Sequence, residues 1–275
     1  MGCLPMPSST STAVITGASS GIGADIAREL AARGYGVTLV ARRVDKLREL
    51  AAELGNGVRV EVIGCDVADP QARAVLFDTV TSMGSTIDVL VNNAGIGTMG
   101  PVTEASVEAE IAQVRVNVEA VIDLTTRAVL QMVPRGRGAI LNVGSTAGFQ
   151  PFPGQVGYAG TKAFVITYTE GVRAELAGTG VTVATLNPGP VRTEFLGAAG
   201  VDERVFEQSF PKFMWMKSRD VARVGIEALE RDRGSVIAGL PNQISTRLFR
   251  LVPNHLLMPL LAKRHPALKY HSSAK

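Results

Sequence analysis

The chain has 275 residues, of which 46% are hydrophobic and 19% charged, and its formal net charge is +3. This length fits one large domain with a well-buried core, and the small charge without a long basic run argues against a nucleic-acid partner. Two cysteines are too few for a disulfide framework, and the three histidines all lie near the C-terminus, so no metal site is expected.

The chain begins with a segment rich in Ser, Thr and Pro at residues 1–11, which predicts a flexible tail. It lacks the charged start and long apolar core of a signal peptide, so a cytoplasmic protein is expected. From residue 12 to residue 243, short apolar runs alternate with segments of helical period, and this pattern is typical of a parallel sheet covered by helices on both faces. The sequence therefore predicts an α/β fold in a single domain, with strands at 12–15, 36–41, 58–64, 89–91, 139–143 and 181–186.

Glycine-rich or polar residues follow each of these runs. The carboxyl ends of parallel strands meet at one edge of the sheet, where ligands bind. We therefore expect a ligand site along that edge. The stretches concerned are 16–23, 42–43, 66–67, 92–95, 144–145 and 187–190.

The first stretch is a turn from strand into helix with the spacing Gly-x-x-x-Gly-x-Gly. Glycines let the backbone come close to a ligand, and the free amides of a helix start attract a phosphate group. A plain tight turn is the alternative. The pattern favours a dinucleotide contact at Gly17, Ser19, Ser20, Gly21, Ile22 and Gly23.

Two arginines, Arg42 and Arg43, follow the second run. An acidic residue at this place binds a ribose 2′-hydroxyl, whereas an Arg accommodates a 2′-phosphate. The pair therefore favours NADP over NAD, with a solvated helix start as the alternative. After the third run, Asp66 either bonds an adenine amino group or caps a helix, although Asp69 before Pro70 fits the cap better.

Three asparagines have two different settings. Asn92 and Asn93 close the fourth run, and Asn is common in turns because it tolerates a left-handed backbone, so a structural role competes with ligand contact. Asn117 lies inside a predicted helix at 107–133, where its amide competes with the helix. It is either an exposed surface residue or a residue that opens the helix and holds water beside the site.

Tyr158 and Lys162 are four residues apart, so in a helix they lie one turn apart on the same face. A free Tyr titrates near pH 10, and a fixed cation lowers that value by roughly 1 to 3 units. The spacing therefore predicts a lowered Tyr158 pKa and a usable acid. Ser145 ends an apolar run and offers a hydroxyl that could hold a carbonyl oxygen.

Together these motifs resemble those of the short-chain dehydrogenase/reductase superfamily, in its single-domain form, over nearly the whole chain. The resemblance implies a Rossmann-like sheet of about seven strands and hydride transfer between a nicotinamide and a carbonyl or alcohol carbon. It also implies a homodimer or homotetramer. The segment 188–193 is similar to the family's nicotinamide cover, and 92–95 to its Asn-Asn-Ala-Gly element. Further cofactor contacts are thereby implied at Val67, Asn93, Ala94, Gly95, Tyr158, Lys162, Pro188, Gly189, Val191 and Thr193.

Asn117, Ser145, Tyr158 and Lys162 match the family's catalytic tetrad residue for residue. The resemblance implies that Tyr158 is the acid or base and that Lys162 lowers its pKa and holds the nicotinamide ribose. It further implies that Ser145 orients the substrate oxygen and that Asn117 anchors a water relaying protons to Lys162.

The stretch 193–218 is irregular but dense in large apolar side chains, whereas loops are normally polar. It is predicted to be a lid over the nicotinamide that favours a hydrophobic substrate, with packing on the sheet as the alternative. Ser218 is predicted to cap a helix at 219–230. The apolar residues are Phe195, Leu196, Phe206, Phe210, Phe213, Met214, Trp215 and Met216.

Residues 244–275 are predicted to form a C-terminal helical extension. Arg247, Arg250 and Pro253 interrupt its apolar residues too soon for a membrane span. Packing on the body or in a dimer is predicted, and association with a membrane surface is the alternative.

The sequence thus predicts an NADP(H)-dependent short-chain dehydrogenase/reductase (EC 1.1.1.-) for a hydrophobic ketone, aldehyde or alcohol. Reduction is the expected direction because cells generally hold NADP reduced. The alternatives are a non-catalytic NADP-sensing protein of the same fold, and a lyase or epimerase that retains its nicotinamide.

Overall fold

A computed structural model describes residues 4–55, 57–195, 210–264 and 268 of the chain. Parallel strands form one seven-stranded sheet in the order β3-β2-β1-β4-β5-β6-β7. The strands are β1 (Ser11–Thr16), β2 (Gly36–Ala41), β3 (Val60–Gly64), β4 (Thr86–Asn92), β5 (Gly138–Val143), β6 (Val181–Asn187) and β7 (Ser235–Ile237). The predicted α/β fold is confirmed, and each of the six predicted strands is present.

Helices connect the strands and cover both faces of the sheet. Within the described residues they are α1 (Gly21–Ala32), α2 (Val44–Leu54), α3 (Pro70–Ser82), α4 (Val107–Val114), α5 (Ala120–Met132), α6 (Val156–Glu175), α7 (Ser218–Glu230), α8 (Leu240–Leu251) and α9 (Asn254–Arg264). A single π-helical turn, Arg115–Glu119, joins α4 to α5. No helix in the described ranges is long and apolar enough to cross a membrane.

The strands carry apolar residues on both faces because two helical layers cover them. Successive residues of a strand point to opposite faces. Ile15 and Leu39 are fully buried in a cluster with residues of α1 and α7. Val14 and Val40 belong to a second cluster with residues of α3 and α5. This double coverage is the physical reason for the Rossmann-like, three-layer arrangement.

The strand order reverses at β1. From β1 the sheet grows through β2 to β3 on one side, and the chain then crosses to β4 and continues to β7 on the other. In open parallel sheets the two connections diverge at such a point and leave a crevice at the carboxyl ends of the strands. The site described below lies there.

Two predicted helix caps have different outcomes. The Asp69 carboxylate accepts a hydrogen bond from the Gln71 amide at 2.9 Å, so this cap is confirmed. The prediction that Ser218 is a cap is wrong, because Ser218 is the first helical residue of α7. Lys217 precedes it with an extended backbone and makes no side-chain cap bond, so the helix begins one residue earlier than expected.

The ends of the described chain pack against the body. Leu4 packs on the first core cluster, and the Tyr35 hydroxyl donates a hydrogen bond to the Pro5 carbonyl. At the other end α8 and α9 are separate helices, with Val252 in an extended conformation between them. Leu257 of α9 is buried, whereas Leu251 is exposed.

Candidate active site

A cleft of about 650 Å³ opens along the carboxyl ends of the strands. This volume is within the range of small-molecule sites. Among the candidate residues, Gly23, Asn92 and Asn117 do not line it. Those that line it are Gly17, Ser19, Ser20, Gly21, Ile22, Arg42, Arg43, Asp66, Val67, Asn93, Ala94, Gly95, Ser145, Tyr158, Lys162, Pro188, Gly189, Val191 and Thr193.

The glycine-rich turn is held in place by Asn93. Its side-chain amide donates to the carbonyls of Thr16 at 3.0 Å and Gly17 at 3.2 Å. Gly17 has a φ of +67°, and a methyl group there would lie 2.8 Å from both the Asn93 amide nitrogen and the Ala94 Cα. Only glycine fits this position. The two hydrogen bonds of the Asn93 side chain support the alternative that Asn93 has a structural role.

The start of α1 faces the cleft with its backbone amides. Ser20, the residue before the helix, has an extended backbone, and its side chain makes no capping bond. The first amides of a helix have no partner within the helix and favour an anion. This end of the cleft therefore offers a phosphate site.

Arg42 and Arg43 differ in their contacts. Arg43 donates to the hydroxyls of Ser19 at 3.0 Å and Ser20 at 2.8 Å, next to the start of α1. Arg42 is 71% exposed, and its guanidinium lies 3.9 Å from the carboxylate of Asp66. Asp66 in turn accepts a hydrogen bond from the Ala68 amide at 3.0 Å, so one of its oxygens has a structural role while the residue still lines the cleft.

Asn117 lies in the π-helical turn and is fully buried. Its side-chain nitrogen donates to the Ile96 carbonyl at 2.8 Å and the Thr161 hydroxyl at 3.0 Å, and its oxygen accepts from the Ile96 amide at 3.0 Å. The alternative of an exposed surface residue is wrong, and the predicted local opening of the helix is confirmed. The side chain thus ties the end of β4 to α6.

Helix α6 places Tyr158 and Lys162 one turn apart, as predicted. The Lys162 Nζ lies 5.8 Å from the centre of the Tyr158 ring and donates to the Val143 carbonyl at 2.7 Å. The Ser145 side chain lies beside the phenol and acts to lower its pKa. These groups meet at the opposite end of the cleft from Arg43.

The predicted lowering of the Tyr158 pKa is wrong for the protein alone. Burial raises the pKa of Tyr158 to about 12, and the neighbouring Ser145 side chain only partly opposes this effect. Burial also lowers the pKa of Lys162 to about 8, because its charged form is desolvated. The fold therefore keeps the phenol protonated at neutral pH.

This raised pKa gives a test on the protein without ligand. Tyr158 should remain almost fully protonated at about pH 10.5, whereas an ordinary phenol would be mostly ionised there. The near-ultraviolet difference spectrum between the wild type and Tyr158→Phe measures this ionisation. The protonated phenol contributes stability below pH 10, and that contribution is lost as the pH rises toward 12. A midpoint near the ordinary value of about pH 10, or below it, would contradict the assignment.

The segment after β6 folds across the cleft. Val191 pairs with Met216, and the Thr193 methyl group would lie 3.0 Å from a side chain at Gly21. The Phe195 ring centre lies 5.5 Å from that of Tyr158. Phe210 and Met214 also line the cleft, but Leu196 and Phe206 lie outside the described residues. The lid role of this stretch stays a prediction.

Several cleft residues have no counterpart among the sequence predictions. Helix α8 closes one side with Ser245, Thr246 and Phe249. Their spacing of one helical turn was a signal that could have identified this face. A further group comes from the connection between β5 and α6, namely Gln150, Phe152 and Gln155.

Comparisons with known proteins give consistent matches. Residues 11–204 match the family model described as short chain dehydrogenase. A probable NADP-dependent dehydrogenase from Haemophilus influenzae is 33% identical over 219 residues, covering 78% of this chain and 86% of that protein. The structure of a short-chain dehydrogenase from Sphingobium yanoikuyae in complex with NADPH has a TM-score of 0.76 and 31% identity, over 88% of this chain and 96% of that one. A 7β-hydroxysteroid dehydrogenase structure has a TM-score of 0.82 and 25% identity, covering 95% of this chain and 99% of that one.

Proposed function

The chain belongs to the short-chain dehydrogenase family, and we propose that it uses NADP(H) to reduce the carbonyl group of a hydrophobic ketone or aldehyde. The reverse reaction would oxidise the corresponding alcohol. The observation that carries this proposal is one cleft with an anion site at Arg43 and the start of α1, and with Tyr158 beside the buried Lys162 at its other end.

The residues present fit an NADP(H) molecule. The uncapped start of α1 and the guanidinium groups of Arg42 and Arg43 are suited to phosphate groups. Near the other end, a methyl group on Gly95 would lie 3.4 Å from the Asn117 oxygen and 3.5 Å from the Lys162 Nζ. The missing side chain leaves these polar groups open to a ribose. The relative named NADP-dependent and the solved structure with NADPH support the same cofactor.

When bound, NADPH supplies the hydride for the carbonyl carbon. The protonated Tyr158 phenol donates its proton to the carbonyl oxygen, which prevents the build-up of a full negative charge there. The Ser145 hydroxyl holds the same oxygen and fixes its position beside the phenol. Because burial keeps Tyr158 protonated, the site is prepared for reduction, while oxidation would need the phenolate.

Lys162 and Asn117 lie where they can return a proton to the Tyr158 phenol after it has been donated. The Lys162 amine has a pKa of about 8, so it can both hold and release a proton near neutral pH. Its Nζ and the Asn117 oxygen approach the same space beside Gly95. We propose that Asn117 holds a water there which passes a proton through Lys162 to the phenol.

The wall around the reacting end favours an apolar substrate. Phe152, Phe195, Phe210, Met214 and Phe249 all line the cleft together with Tyr158. Burial of apolar surface on such a wall favours binding in proportion to its area. A bulky hydrophobic ketone therefore suits the space better than a small charged one, and similarity to a hydroxysteroid dehydrogenase structure supports this choice.

The proposal predicts a dependence on chain length. In a series of methyl ketones, kcat/KM for NADPH oxidation should rise about three- to four-fold for each added methylene that becomes buried. The rate is followed by the loss of NADPH absorbance. A series in which kcat/KM stays flat with length would contradict the apolar pocket, and the absence of NADPH oxidation with any ketone or aldehyde would contradict the reductase activity.

Helix α8 offers a matched pair of variants for the same assay. Phe249→Ala should reduce the gain per methylene because it removes part of the wall. Leu248→Ala, on the exposed side of the same helix at 57% exposure, should leave the gain unchanged. Equal effects of the two variants would show that α8 acts through stability alone.

A further inference from the structure

A carboxylate of the chain itself lies on the anion site at the phosphate end of the cleft. Glu194 accepts a hydrogen bond from the Arg43 Nη1 at 2.8 Å, and the nearby Ser20 side chain also helps to lower the pKa of Glu194. The other guanidinium nitrogen of Arg43 donates to the hydroxyls of Ser19 and Ser20. The Arg43 guanidinium therefore links this carboxylate to the Ser19 and Ser20 hydroxyls at the start of α1.

This group of donors is suited to a phosphate. A guanidinium fork binds a phosphate or a carboxylate with two parallel hydrogen bonds, and neighbouring hydroxyls can complete the shell. A phosphate monoester carries a charge of about −1.5 to −2 at neutral pH, against −1 for a carboxylate. The hydrogen bond from Arg43 lowers the pKa of Glu194, so the carboxylate is ionised and competes for the same donors.

Glu194 and the 2′-phosphate of NADP(H) therefore need the same partners. We propose that Glu194 occupies the 2′-phosphate site of the free protein, that the cofactor must displace it, and that it thereby sets the affinity for NADP(H) relative to NAD(H). This inference rests on the proposed function because it takes NADP(H) as the cofactor. A cofactor without the 2′-phosphate has no group with which to displace the carboxylate.

The neighbours of Glu194 connect this exchange to the reacting end of the cleft. Thr193 packs on Gly21 of the glycine-rich turn, and Phe195 packs on the Tyr158 ring at 5.5 Å. The three consecutive residues 193–195 thus cross the cleft from the phosphate end to the phenol. Displacement of Glu194 from Arg43 removes a contact that holds residues 193–195 in place. We therefore expect Phe195 to shift beside Tyr158 when the 2′-phosphate binds.

The test uses two ligands that differ only in the 2′-phosphate, adenosine 2′,5′-bisphosphate and adenosine 5′-monophosphate, titrated by calorimetry without any turnover. In Glu194→Gln the affinity for the bisphosphate should rise about five-fold, the upper range for an exposed ion pair. The affinity for the monophosphate should stay within about two-fold of the wild type.

Glu53→Gln is the matched control. Glu53 also forms a 2.8 Å ion pair with an arginine, Arg28, but neither residue lines the cleft. The variant changes the net charge by the same amount and should leave both affinities unchanged. An equal gain in this control would assign the effect to net charge and overturn the inference.

The tryptophan offers a second measurement. The chain has one tryptophan, Trp215. Its ring centre lies 5.6 Å from the guanidinium of Arg192, and Arg192 is two residues before Glu194 in the chain. Its emission should change when the wild type binds the bisphosphate but not the monophosphate. In Glu194→Gln the ligand-free emission should already resemble that of the wild-type complex. Identical ligand-free emission of the two proteins would refute the release of the segment.

Failure of the inference can be told apart from failure of the cofactor proposal. A preference for the bisphosphate that is equal in the wild type and Glu194→Gln refutes the role of Glu194 and leaves NADP(H) as the cofactor. No preference in either protein refutes both. A lower bisphosphate affinity in Glu194→Gln would mean that the carboxylate supports the site instead of competing with its ligand.

Discussion

Tyr158→Phe is expected to lower kcat for NADPH-dependent carbonyl reduction by about 10³-fold, within the usual contribution of a general acid. The substitution removes one oxygen and keeps the ring, so the packing of Phe195 at 5.5 Å is preserved. Substrate oxygen would then have Ser145 as a hydrogen-bond partner but no proton donor. Single-turnover reduction measured with NADPH in excess separates this chemical step from cofactor binding.

The control for this variant is Tyr168→Phe. Tyr168 lies on the same helix and stacks on Phe164 with ring centres 5.4 Å apart, outside the lining of the cleft. It should retain wild-type kcat, and both variants should bind NADPH as the wild type does. Unchanged turnover in Tyr158→Phe would remove the phenol from the mechanism.

The sheet could be predicted from sequence because its strands are buried on both faces. Runs such as the one at β5 contain apolar residues at consecutive positions, which neither an exposed strand nor an amphipathic helix would show. No such run marks strand β7, because it has three residues, begins at the exposed Ser235 and lies at the edge of the sheet. The rule that ligands bind beyond the carboxyl ends of parallel strands then predicts a site at the edge of the sheet where the cleft lies.

The site was predictable where local spacing decides the geometry. Tyr158 and Lys162 meet because four residues make one helical turn. Their pKa values depend instead on burial by distant parts of the chain, and burial reversed the predicted direction for Tyr158. The contact between Arg43 and Glu194 joins residues 151 positions apart, so no local pattern could indicate it.

Lys162→Met is expected to lower kcat by about 10²-fold or more, since it removes the amine beside the phenol and the proposed proton path. The same change should raise the stability of the protein near neutral pH. The pKa of Lys162 falls from 10.5 in the unfolded chain to about 8 in the fold, so below pH 8 the native state bears the cost of a buried charge. Methionine has a similar length and no charge.

The pH dependence separates this effect from other consequences of the substitution. Between pH 8 and 10.5 the unfolded state binds more protons at this group than the folded state, so the free energy of unfolding rises with pH, by at most about 1.4 kcal/mol per unit. Lys162→Met lacks this increase, and its advantage over the wild type should shrink from pH 8 to pH 10. Loss of the 2.7 Å bond to the Val143 carbonyl offsets part of the gain at every pH in this window.

Urea unfolding of the wild type and the variant at several pH values measures the difference directly. Lys46→Met is the control, because Lys46 is half-exposed beside Glu49 and its pKa is raised by that contact, which puts its own effect above this window. The two proteins could instead differ in their free energy of unfolding by the same amount from pH 8 to pH 10. That result would show that the Lys162 amine is not desolvated. Since the same desolvation places the Lys162 pKa near neutrality, that result would also remove the basis for proton return through Lys162.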